Sequence, residues 1–168
     1  MTIYVYSIIV YSFITITFSQ QIDKTDTQNN IQQVFQSSFE DKYGAGWDFI
    51  WNVNFTPHRI IGKSISQNFD GLDPLQSELA AREIISNNKS IFNIPNEHLE
   101  LWVNEQHGNL RYIIFNQIFN NVPVWNGRID FRYRLNGDLV MIGHDAYPNL
   151  QINTSPTIDV AQAIVNAQ

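Results

Sequence analysis

Histidines and carboxylates at ligand spacing are the first residues to weigh, because the zinc-peptidase motif sets two histidines one helical turn apart, with a third donor beyond. Four histidines stand in the chain, His58, His98, His107 and His144, and none has a second His at i+4. The run Glu97-His98-Leu99-Glu100 resembles a ligand cluster. At strand-entry spacing His98 and Glu100 share one face, yet two ligands do not close a tetrahedral site. A solvated loop is the expectation there. With no cysteine, thiol nucleophiles, disulfides and cysteine-bound zinc are excluded. No Gly-x-Ser-x-Gly elbow is present. Gly62-Lys63-Ser64 has the tail of a phosphate loop without the earlier glycine. The sequence therefore assigns no catalytic residue, no metal ligand set and no cofactor site.

Charge narrows the partners. Lys and Arg number 10 against 16 Asp and Glu, a net charge of -6. Nucleic-acid binding draws on cations to neutralise phosphates, so this balance argues against it, and against an anionic membrane surface. Arg128, Arg132 and Arg134 form a local basic strip at every second or fourth position. Its expected place is the solvated face of a strand whose other face is Ile129, Phe131, Tyr133 and Leu135. Asn54-Phe55-Thr56, Asn88-Lys89-Ser90 and Asn153-Thr154-Ser155 fit the glycosylation acceptor pattern.

The elements that would position such residues follow from periodicity. Ile31, Val34, Phe35, Ser38 and Phe39 recur at helical spacing, and Gly44 stands where a left-handed cap suits glycine. From Trp47 to Phe55 the period becomes two, a strand with one buried face, and Arg59 to Lys63 resumes after Pro57 as its hairpin partner. Asp73-Pro74-Leu75-Gln76 opens a helix running to about Asn88, with Asp73 as cap and Pro74 in the first turn. Leu99, Leu101 and Val103 alternate, and Leu110 to Phe119 is apolar on both faces, as a central strand would be. Asn120-Asn121 is a turn. Asn136-Gly137 predicts a two-residue hairpin turn. Tyr147 to Pro156 reads as a linker before a helical run from Thr157. The sum is an α+β domain, an antiparallel sheet packed by one or two helices.

Residues 1–19 carry no charged side chain and end in Phe18-Ser19 before a polar stretch, which predicts a signal peptide cleaved before Gln20. An uncleaved anchor or a buried strand is the alternative for a run of this length. Residues 20–45 then form a polar lead-in and amphipathic helix, 46–150 the sheet domain, and 151–168 a linker with the truncated start of another helix.

Tyr112 to Gly127, with Phe115-Asn116-Gln117 leading into Asn121-Val122-Pro123-Val124, resembles the fungalysin/thermolysin propeptide module. Trp51-Asn52-Val53 through Pro57-His58-Arg59-Ile60-Ile61-Gly62 is similar to that module's opening hairpin, and Thr157 to Gln168 to the first helix of a PepSY-type module. Asn121 replaces the family's usual Gly, and Asn54-Phe55-Thr56-Pro57 replaces its Thr-Gly-Thr-Pro turn. The resemblance implies a cystatin-like propeptide fold. It further implies an exported, non-catalytic role as inhibitor and intramolecular chaperone, with the metallopeptidase catalytic domain of the same precursor as partner and no stable membrane association after signal cleavage. A free-standing secreted binding or inhibitor module is the alternative.

Overall fold

The computed structural model describes residues 29–167. The signal peptide expected over residues 1–19 and the polar lead-in expected over residues 20–28 lie outside them. Six antiparallel strands form one sheet in the order β1-β2-β6-β5-β4-β3. They are β1 (Trp47–Trp51), β2 (Pro57–Ser66), β3 (Leu99–His107), β4 (Leu110–Phe119), β5 (Val122–Arg134) and β6 (Asp138–His144). Helices α1 (29–43) and α2 (Pro74–Asn87) contribute side chains to the core on one face, so the fold is α+β as expected. Two short helices, α3 (Lys89–Phe92) and α4 (Val160–Asn166), complete the described elements together with a 3-10 turn at Asn96–His98.

Burial follows the two periods. On the core face Ile113, Phe115, Ile129, Phe131, Tyr133, Leu139 and Ile142 are buried, with Ile60 beside them from β2. Helix α2 starts as expected: Asp73 accepts from the backbone N–H groups of Leu75 at 2.9 Å and Gln76 at 3.2 Å. The face it buries is Ser77, Ala80, Ala81, Ile84 and Ile85, while Leu75 and Leu79 stay exposed. Small residues let the helix approach the sheet, which is why no leucine stripe is visible in the sequence. Helix α1 ends at Gly44, whose φ of 86° accepts a left-handed turn and whose N–H bonds to Glu40 at 2.7 Å. Only Phe39 on α1 is fully buried, with Phe35 and Tyr43 packed partly against the core. Ile31 and Val34, expected on the buried face, are exposed.

Three sequence expectations are revised by the register. The strand expected to reach Phe55 stops at Trp51, and Val53 is exposed in a turn tied by Asn52, Asn54 and Thr56. The two-residue turn lies at Asn120-Asn121, with φ of 49° and 63°, joining Phe119 to Val122. At Asn136-Gly137 the loop is longer: Gly137 N–H bonds to Arg134 O at 2.9 Å and Gly137 takes φ 84°, a three-residue loop with a glycine bulge. A Cβ on Gly137 would also strike the Phe69 carbonyl. Finally, β4 is the second strand from an edge, and its outer face is half-buried rather than covered.

Candidate binding site on the outer sheet face

The outer face, opposite the helices, carries two departures from regular pairing, one on each side of β4. In β3, Leu101 pairs with Phe115 and Val103 with Ile114, so Trp102 is an extra residue without a ladder partner. In β5, Asn116 of β4 pairs with Arg128 and Ile118 with Pro123, so Gln117 faces four β5 residues, 124–127. Bulges bend a strand and re-aim its side chains, and they recur beside functional sites. Here each bulge presents a tryptophan. Trp102 is 61% exposed and Trp125 86%.

These two indoles line one groove of about 370 Å³ together with Asn116, Pro123, Val124, Asn126 and Arg128. Asn126 holds φ 58°, the left-handed region that asparagine enters more readily than other non-glycine residues, and so turns the chain just after Trp125. Beneath it Gln117 is buried and bonds twice to the Tyr147 backbone, which anchors the floor of the bulge. Next to Asn126, Gly127 has no room for a side chain: a Cβ would sit 2.8 Å from Gln117 Oε1 and 2.9 Å from Val124 Cγ1.

A charged cluster borders this face. Asp145 bonds to His58 Nδ1 at 2.5 Å and Arg59 at 3.2 Å, and Arg128 Nε lies 3.8 Å away. Burial alone would raise the Asp145 pKa, but the His58 hydrogen bond and the Arg59 charge outweigh it and hold the carboxyl below its usual range. The group has one carboxylate already shared among cations, the arrangement of a structural ion network.

The residues marked in the sequence are dispersed. His98 lies in the 3-10 turn against the Phe119 ring, and Glu100 is exposed on β3, its pairing partner being Asn116. His107 lies 3.1 Å from the neighbouring Glu105 and packs edge-on against the Tyr112 ring. His144 is fully buried; Nε2 bonds to Phe92 O at 2.7 Å and Nδ1 accepts from Ala146 N–H at 3.2 Å. Its burial pushes the imidazole pKa down. Among the described residues no three His, Asp or Glu side chains are grouped to hold a metal ion. Gly62-Lys63-Ser64 lies within strand β2. The arginine strip is on the outer face, but buried Asp130 interrupts it, Arg132 lies over the Tyr112 ring and Arg128 reaches toward Asp145. Of the three glycosylation patterns, Asn54 and Asn153 are exposed, whereas Asn88 is buried and bonded to Tyr43 and Ile84.

Trp102 and Trp125 escaped the sequence reading. Their signal was an apolar side chain out of phase: Trp102 sits at the polar step between Leu101 and Val103, and Trp125 precedes Asn126-Gly127.

No protein-family model and no curated protein matches the chain. Among solved structures the Bacillus megaterium YpeB C-terminal domain is similar, with a TM-score of 0.45 and 14% identity over 71% of this chain and 51% of that one. The chain thus spans about half the length of that structure. Among the described residues no helix is long and apolar enough to cross a membrane.

Proposed function

We propose that the chain is an exported, non-catalytic binding module, the propeptide portion of a secreted thermolysin- or fungalysin-like metallopeptidase precursor. The observation that carries this reading is the open edge of β3, which pairs with β4 on one side and with no described strand on the other. An edge strand offers unpaired N–H and C=O groups to an extended segment of a partner. The bulge at Trp102 divides that edge into two short runs, Leu99–Leu101 and Val103–His107. Each run supports only a few backbone bonds, as suits an inhibitor that must later be released. The β4-β5-β6 meander also has the strand order that the resemblance at Phe115 to Gly143 implies. Export rests on the uncharged run before Gln20.

Titrating a thermolysin-like peptidase with the chain tests the proposal. Activity should fall in proportion to added chain. Adjacent strand residues point their N–H groups to opposite sides, so proline at Asn104 or at Glu105 blocks the edge in one case and breaks the β4 pairing in the other. The variant that still melts as the parent does should lose inhibition. A folded parent chain without effect on the peptidase would leave the free-standing module as the better reading.

A further inference from the structure

We propose that the groove between Trp102 and Trp125 is a binding site for a neutral oligosaccharide chain. The inference is argued from side chains, whereas the peptidase reading rests on the backbone edge of β3; Trp102 lies on that edge, and Trp125 on β5 separates the two readings.

Two exposed tryptophans in one groove need an explanation, since large apolar groups exposed together mark a binding surface. Each is delivered by a bulge, in β3 and in β5, on opposite sides of β4. Asn126, left-handed at φ 58°, turns the β5 bulge beside Trp125. The chemistry of the lining then selects the ligand. The floor residue Asn116 is already paired on both sides, with Glu100 and with Arg128, so β4 offers a peptide no free edge at the floor of the groove. The side chains that the groove presents are two indole faces, the carboxamides of Asn116 and Asn126, and the Arg128 guanidinium. A pyranose ring matches that set. Its axial C–H faces are apolar and stack on indole, and its equatorial hydroxyls both donate and accept, as carboxamides do. Arg128 lies 3.8 Å from Asp145, so its charge is already partly balanced and gives no strong call for an anionic ligand. A nucleic-acid strand, the other polymer that stacks on tryptophan, is disfavoured by the net charge of -6.

The test is tryptophan fluorescence and calorimetry of the whole chain with cellohexaose, chitohexaose and maltohexaose. At least one should give a saturable change with Kd at or below about 1 mM. Trp125→Ala and Trp102→Ala should each weaken that binding about tenfold or more while the melting temperature stays close to the parent's, because both indoles are largely exposed. Trp125→Ala should inhibit a responsive peptidase as the parent does. Failure of all three sugars to bind, or unchanged binding by both variants, would overturn the proposal. Loss of peptidase inhibition in Trp125→Ala, with no sugar response in the parent, would assign the groove to a protein partner instead.

Discussion

Gln117 and Tyr147 exchange two hydrogen bonds of 2.8 Å: the carboxamide nitrogen donates to the Tyr147 carbonyl, and the Tyr147 N–H donates to the carboxamide oxygen. A side chain on β4 thereby acts as a strand partner for the segment that leaves β6. The same Gln117 faces the four-residue bulge of β5, so it fixes both the exit of the chain and the seat of Trp125.

Replacing Gln117 with Leu should destabilise the domain by about 2–3 kcal/mol, because two backbone groups lose partners at a site where the side chain is buried. A urea melt reads this directly. Gln117→Glu keeps the acceptor and loses the donor, so it should leave the Tyr147 carbonyl unpaired and also place a charge in the interior.

Gly127→Ala should destabilise by about 1–3 kcal/mol, since the new Cβ crowds Gln117 Oε1 and Val124. Combined with Gln117→Ala the penalty should shrink, because the crowded oxygen is gone. Additive penalties in the double-mutant cycle would show that the crowding is relieved without moving Gln117.

Stability should fall on acidification in two stages. His144 has a pKa lowered from 6.5 by burial, so the unfolded chain binds a proton that the folded chain refuses. Its contribution is present above about pH 6.5 and is lost as pH falls toward the lowered folded value. Asp145, held below 3.8, adds stability that is lost only as pH drops through its own folded value. Urea melts at pH 7.5 and 5 should differ in the parent by more than in His144→Gln.

Phe39→Ala should cost about 3–5 kcal/mol and release α1. Phe39 is the one fully buried side chain of that helix, set among the rings of Tyr43, Trp47 and Phe49 at 4.7, 5.5 and 5.6 Å. Hydrogen exchange should show α1 amides losing protection in the variant ahead of those of β4 and β5.

Elements whose information is local were legible from residue types alone. Asp73-Pro74 marks a helix start because cap and first turn lie within four residues, and Gly44 marks a helix end for the same reason. The alternation through Ile129, Phe131 and Tyr133 identified the buried face of β5, since period two is a property of a single strand. The α+β class follows from the count of such elements. The candidate site was not legible in this way. A bulge exists only relative to a partner strand, so Trp102 and Trp125 become extra residues when β3 and β5 are laid beside β4. Likewise the tertiary structure decided that His144 bonds to Phe92 across the core and that Gln117 meets Tyr147. Those contacts depend on sheet order, and sheet order is set by long-range packing that no window of sequence contains.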